Sequence, residues 1–535
     1  MKDRVSLTDF LMYHKETHPI SFHMPGHKGR STLYGIYGFG DFVKNVVGND
    51  ITEIPGADAL QQPRERIKDI MEGYAGLYGA KHTELLVNGS SAGLMASILG
   101  SVPRGGKLLM GRNSHKSVYG ALRLGGIDPV YIMPEIDSET GLQLGLDPDK
   151  IETALIEDPG IKAVLVTSPN YYGVLSDIER IASIVHLHGR ILIVDQAHGA
   201  HLKFFDYLRS EDGLPHRAAE NCGADIVVDS THKTLLSFTG SAILNICTER
   251  PDVSRISELL RMLQTTSPSY LLMGSLDINQ QILRMDGYNL IKNWDADIKY
   301  FYEEAAQIAG LGLIDRIDLD ETKVSITMSA LGLSGPELAE ELEKRNIWVE
   351  LTHGDYVMLM TGLGNERGDY EDILTALRDL SAHHGGRIQG VEPESSASKT
   401  ESAAQNASQN QAKNEAQAMA KNEAQAANKN ASQAVDKNAE LRTPSSDSAL
   451  IERLEQRKIP DTYEEVPLYS AEGRVLYESI IPYPPGTPIA CPGEVLSKSV
   501  ILYVRDQLVA QHVVLGVDEE GRVKVESDCV LFKEI

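Results

Sequence analysis

The sequence predicts an α/β protein whose mainly parallel central sheet is covered by helices. Three observations carry that prediction. Short apolar runs recur between Leu85 and Val228, each bounded by Gly, Pro, Asn or Asp. Several are separated by helix-length segments such as Asp177–Gly189, the alternation that buries a parallel sheet between helical layers. The chain has 535 residues and 42% apolar side chains, enough for a large core and about two to four domains.

Taken in order, residues 1–60 read as an N-terminal segment of short motifs and Gly-rich turns, without a long periodic helix. Residues 61–310 form the large domain. Its buried strands are Leu85–Val87, Lys107–Met110, Val130–Met133, Ala163–Val166, Ile191–Val194 and Ile226–Val228, and residues 251–310 are largely helical in pattern. Residues 311–391 read as a smaller α/β unit, with a strand at Lys323–Met328 and a helix at Ser334–Arg345. Residues 392–446 are Ala, Gln, Asn, Lys, Ser and Glu, with Lys-Asn recurring every eight residues from Lys413 to Lys437. They lack the apolar a and d positions of a coiled coil. This is a low-complexity linker, disordered or transiently helical, and either a tether for a partner or a tolerated insertion. Residues 447–535 return to globular character as a C-terminal α+β domain. It carries the rigid Pro482–Pro488 turn, the Cys491-Pro492-Gly493-Glu494 segment and two closing strand-like stretches.

Composition excludes several function classes. With 51 Lys+Arg against 76 Asp+Glu the net charge is −25, which argues against a nucleic-acid-binding surface. The same charge either steers a cationic substrate or simply keeps the protein soluble. Cys222, Cys247, Cys491 and Cys529 form no CxxC pair, so neither a metal site nor a disulfide framework is indicated. No apolar run has the length of a signal peptide or a membrane span. A reduced, cytoplasmic enzyme without a membrane partner is the expectation.

The chemistry concentrates at Ser230-Thr231-His232-Lys233, which follows the apolar run Ala224–Asp229. Desolvation at a buried strand end lowers a lysine's pKa, as an amine that forms a Schiff base requires. Ser230 and His232 flank it with groups suited to a phosphate. An isolated S-x-H-K reads as a surface lysine; four further features reverse that reading. Asn88–Gly93 follows a strand and opens a helix, so Ser90, Ser91 and the backbone amides form either a phosphate cradle or an ordinary cap. Asp195 ends a strand in Asp195-Gln196-Ala197-His198, where it pairs with a protonated pyridine nitrogen or caps a helix, and small Ala197 lets a flat ring approach. His115 is positioned to stack on the other ring face or to serve structurally. His23–Gly29 is a basic turn for an anion or for an oligomer interface.

Together these residues resemble the Orn/Lys/Arg decarboxylase family of pyridoxal-phosphate enzymes. The Pro-Gly-His-Lys-Gly, Ser-Thr-His-Lys and Pro-Pro-Gly…Cys-Pro-Gly-Glu stretches are specific to that family, and the match spans most of the chain outside the linker. The resemblance implies an aspartate aminotransferase-like fold (fold type I) with pyridoxal 5'-phosphate as cofactor. By it, Lys233 holds the cofactor's aldehyde, Asp195 pairs with its pyridine nitrogen, and His115 stacks on the ring beside Ala197 and His198. Ser90, Ser91, Ser230 and His232 contact the phosphate. Thr265–Ser269, with Thr266 and Ser267, resembles the segment that reaches a phosphate across a dimer interface, which implies a homo-oligomer with a shared site. No receiver-like wing domain precedes Pro25, so a decameric assembly is not implied.

The implied reaction is decarboxylation of a cationic amino acid. Arginine leads, by likeness to the compact biosynthetic arginine decarboxylases, with lysine and ornithine as alternatives. Glu53, Asp58, Asp355 and Glu494 are the carboxylates expected to meet the substrate's cation, by family position and composition. Rival readings are an aminotransferase or aldolase using the same lysine and aspartate, and a catalytically silent relative.

Overall fold

A computed structural model describes residues 6–385, 454–457, 459–460, 462–483, 487–509 and 513–527. The linker expected at 392–446 and Cys529 lie outside the described residues.

Seven strands form the central sheet, in the order His82–Leu86, Ala242–Ile246, Ile226–Asp229, Ile191–Asp195, Ile161–Thr167, Lys107–Gly111, Asp128–Ile132. Pairing is parallel from Ile226–Asp229 to Asp128–Ile132, and Ala242–Ile246 runs antiparallel to both neighbours. Near-continuous apolar runs are what such a sheet requires, because helices cover both of its faces. One face packs Leu86, Leu108, Leu165, Ile193 and Val228 beneath the helices Gly89–Ser101 and Lys116–Gly125. The other packs Leu109, Val164, Val166, Leu192 and Val227 beneath Pro148–Glu157 and Ile178–Leu187.

The six expected strands form, and Ala242–Ile246 is a seventh that the sequence reading leaves out. Its apolar run is broken by Asn245, which is fully buried yet satisfied: its amide faces Thr83 Oγ1 at 2.7 Å and Glu220 at 3.0 Å. A partnered polar side chain of this kind is compatible with a core strand, although it spoils the pattern.

The first sixty residues, expected to hold short motifs and Gly-rich turns without a long periodic helix, include a ten-residue helix, Leu7–Glu16, capped by the Ser6 hydroxyl. Ile20–Phe22 then pairs in parallel with Ile347–Val349. A four-stranded antiparallel sheet of Leu351–His353, Tyr356–Met360, Lys323–Thr327 and Gly312–Leu313 follows the 36-residue helix Tyr270–Ala305. The helix Gly335–Glu343 beside it opens on a capping box between Ser334 and Glu337. In the C-terminal part, two-stranded pairings and the helix Lys498–Val509 share a core of Leu476, Ile480, Val500 and Val504.

Candidate active site

Parallel strands deliver their carboxyl ends to one edge of the sheet, where ligands of such folds bind. Asp195 is the last residue of its strand, in register with Val228 on one side and Thr167 on the other. The neighbouring strand ends at Asp229 and runs through Ser230 into a single helical turn, Thr231–Thr234, which carries Lys233. Both side chains thus meet at one cavity of about 400 Å³. Ser90, Ser91, His115, Ala197, His198, Ser230 and His232 line it as well.

Burial depresses the Lys233 ammonium, with Asp195 and then Glu350 pulling in the opposite direction. Burial likewise lifts Asp195, opposed by Lys233 and by the amide of Ala197, which donates to its Oδ1 at 3.2 Å. The helix Gly89–Ser101 points its N-terminus at the cavity. Gly89, at φ +69°, donates its N–H to the Gly240 carbonyl (2.8 Å), and Asn88 makes no side-chain capping bond. His115 caps the helix Lys116–Gly125 by accepting from the Ser117 amide, and burial followed by Lys233 and Lys116 brings it down to about 4. His232, also held at about 4 by burial, has Nδ1 2.6 Å from the Ser241 carbonyl. In the neutral ring Nδ1–H donates there and only an acceptor is left, so His232 helps an anion only when a second proton joins the ring. The Nε2 atom of His198 lies 2.9 Å from Lys233 Nζ.

The residues fit pyridoxal phosphate. The hydroxyls of Ser230 and Thr167 are buried without a hydrogen-bond partner, and both line the cavity. Orphaned hydroxyls beside a helix N-terminus match a phosphate and a phenolic ring in need of donors. Asp195, 3% exposed, matches a protonated pyridine nitrogen.

Other expected residues lie elsewhere. Thr266 and Ser267 are exposed and do not line this chain's cavity. Glu53 is exposed, and Asp355 is exposed at the turn between Leu351–His353 and Tyr356–Met360. Asp58 is committed to the amides of Ala59, Arg64, Glu65 and Ile67, fixing the entry to the helix Arg66–Tyr78. Glu494 is buried against Arg112, with Oε2 2.8 Å from Nη2 and Oε1 3.1 Å from Nε. This pair clasps the C-terminal part to the strand end before His115. The folded chain has other uses for Asp58 and Glu494. Removing one partner of a buried pair leaves a stranded charge, so Glu494→Ala should cost about 3–5 kcal/mol of stability, read from denaturant midpoints.

The basic turn His23–Gly29 commits its lysine to backbone carbonyls. Lys28 is 6% exposed, and its Nζ donates to the carbonyls of His23 (2.7 Å) and Met360 (2.8 Å) instead of to an anion. The turn is layered between two backbones. Gly26 donates its N–H to the His232 carbonyl (2.8 Å) and accepts from Gly364 (2.9 Å), while Leu363 donates to Thr234 (2.9 Å). A Cβ on Gly26 would lie 2.3 Å from the Leu235 carbonyl oxygen.

Residues that motif reasoning missed are Thr167, Tyr171, Lys323 and Glu350. Tyr171 lines the cavity and donates to Glu350 (3.0 Å), which also accepts from the Met24 amide (2.9 Å). Lys323 opens a buried strand, the same cost that drew attention to Lys233, so a signal for it was present. A larger cleft of about 690 Å³, lined by Arg66, Asp277 and Arg284 among others, holds none of these groups.

Comparison with known proteins adds sequence-wide support. The model of the Orn/Lys/Arg decarboxylase major domain matches residues 5–311, and that of the C-terminal domain matches 444–516. An arginine decarboxylase of Bacillus subtilis is 30% identical over 519 residues, covering 95% of this chain and 94% of that protein. One from Bacillus anthracis is 29% identical over 527 residues, covering 95% and 94%. The solved structure of a Francisella novicida lysine decarboxylase covers 97% of this chain and 81% of its own, with a TM-score of 0.68 at 18% identity, a likeness of fold. Matched through both its large and its C-terminal portions, the chain belongs to the Orn/Lys/Arg decarboxylase family, pyridoxal-phosphate-dependent carboxy-lyases of the aspartate aminotransferase-like fold.

Proposed function

We propose that this chain releases CO2 from L-arginine to give agmatine, with Lys233, Asp195 and His115 as its catalytic residues. The observation that carries the catalytic assignment is the meeting of the half-buried Lys233 and the buried Asp195 at the cavity with the unpartnered Ser230 hydroxyl. Arginine is favoured by relatives that bear that activity in their names and align along nearly the whole chain. Lysine is second, by relatives at 22–23% identity.

When bound, pyridoxal phosphate supplies an aldehyde that captures an amine and a protonated ring that draws electrons from the bond to the carboxylate. The chain's part is to hold it. Lys233, deprived of solvent, offers its Nζ to the aldehyde. Asp195 keeps a proton on the pyridine nitrogen. Ser90, Ser91, Ser230 and the N-terminus of Gly89–Ser101 bind the phosphate, and His115 and Ala197 flank the ring. Thr266 and Ser267, exposed here, serve a second copy's phosphate in a homo-oligomer. The setting is cytoplasmic polyamine supply: the described cysteines Cys222, Cys247 and Cys491 are free thiols.

The test is CO2 and amine release by the full-length, cofactor-loaded protein offered arginine, lysine and ornithine separately. Agmatine from arginine as the dominant product is expected. Preference for another substrate overturns the arginine assignment, and no release from any of them with cofactor bound overturns the decarboxylase reading.

A further inference from the structure

Lys323 is reached by none of the motifs, yet a single ring ties it to Lys233. It opens the strand Lys323–Thr327, is 1% exposed, and brings Nζ within 2.8 Å of Nδ1 of His198. Nε2 of the same ring is 2.9 Å from Lys233 Nζ. The ring edge packs on Tyr171, with centroids 5.0 Å apart, which fixes its plane. A neutral imidazole carries one N–H and one lone pair, and an ammonium can only donate. Two amines hydrogen-bonded to one neutral ring therefore cannot both be ammonium: one donates to it, the other receives from it. Burial, followed by Lys233 and Lys323, holds His198 far below its ordinary value, so the ring is neutral.

Neighbouring carboxylates decide which amine keeps its proton. Burial brings Lys323 down to about 8 against the pull of Asp320 and Glu350, which leaves it an ammonium at neutral pH, and Lys28 and the Tyr171 ring stand beside it as well. Asp320 is buried, and although burial works against its charge, His201 (3.0 Å), Lys323 and Thr322 hold it at about 2. It is a firm anion. Around Lys233 stand Asp195, Glu350, His115 and His198, with His232 next to it in the chain. Asp195 is pushed up by burial, the opposite direction. Glu350 acts on both lysines in the same direction.

We propose that Lys323 is a positioning residue: its ammonium donates to Nδ1 of His198, so the ring's hydrogen sits on Nε2 and presents Lys233 with a donor that only a free amine accepts. The inference rests on the reading of Lys233 as the amine that captures the cofactor. A free amine captures an aldehyde and an ammonium does not, so Lys323 sets the pH at which capture begins.

The test mixes cofactor-stripped, full-length protein with pyridoxal 5'-phosphate and traps the product with borohydride at timed intervals. Peptide mass spectrometry identifies the labelled lysine, and the labelling rate is followed over about pH 6 to 9. Lys323→Met should raise the midpoint by about one unit, a roughly tenfold slower capture at fixed pH below it. Lys323→Arg, which retains a donor and a charge, should keep the wild-type midpoint. In a His198→Asn background, Lys323→Met should add no further shift, because the coupling runs through the ring. Labelling of Lys233 with an unmoved midpoint in Lys323→Met overturns the proposal, as does an equal shift in the His198→Asn background. A raised midpoint in Lys323→Arg also overturns it, and this arm decides the matter should the Met variant fail to fold. Wild-type labelling at some other lysine would instead overturn the underlying reading of Lys233.

Discussion

Lys233→Ala should lower CO2 release by more than about a thousandfold, the scale on which loss of a covalent nucleophile is felt. The residue sits on a single helical turn between a strand end and the tightly packed Leu235 and Leu236. Alanine suits that turn and removes a desolvated amine, so the variant should fold. Pyridoxal phosphate should still bind through Ser90, Ser91 and Ser230, but borohydride should no longer fix it to the chain. Both readings come from one preparation: isotopic CO2 release and the mass of the reduced protein. Activity within tenfold of the parent would remove Lys233 from the mechanism.

Asp195→Ala should retain most of the cofactor yet lose turnover by about a hundred- to a thousandfold, the range seen when one charge-stabilising group is deleted from a buried site. Without the carboxylate no anion in the cavity keeps a proton on the pyridine nitrogen, and the ring draws electrons less strongly. Asp195→Asn, nearly equal in volume, separates this loss from a packing defect and should be impaired to a similar degree. The measurements are kcat and the cofactor-to-protein ratio. Unchanged turnover at full occupancy would show that Asp195 has another task.

What was legible in the sequence was whatever sits next to a strand end. Lys233, Asp195, Ser90 and Ser230 each follow a short apolar run, and parallel pairing brings such ends to one edge of a sheet. What was illegible depends on distant segments. Lys323 and Glu350 approach His198 and Tyr171 from a different sheet, more than a hundred residues along the chain, and no local pattern reports that pairing. Of the four carboxylates expected at the substrate, Asp58 and Glu494 have other partners for a related reason. A carboxylate's use is set by the donors that fold around it: four backbone amides for Asp58, a guanidinium for Glu494. Asn245 hid a core strand because its partners, Thr83 and Glu220, come from elsewhere in the chain.

The turn at Gly26 explains why a stretch with so little chemistry is so recognisable. Its lysine is occupied by carbonyls, and its central residue is held between the backbones of Thr234–Leu235 and Gly362–Gly364. A Cβ on Gly362 would come within 2.8 Å of the Gly26 carbonyl oxygen, and one on Gly364 within 2.5 Å of the His27 backbone. Three chain segments are stacked at a spacing that only hydrogen atoms fit. Such a stack can be inherited, grafted or redesigned only as a set: drift at one layer displaces the turn that carries Lys233. The fingerprint of this chain's chemistry is therefore written partly in a thickness, at residues that never touch a reacting atom.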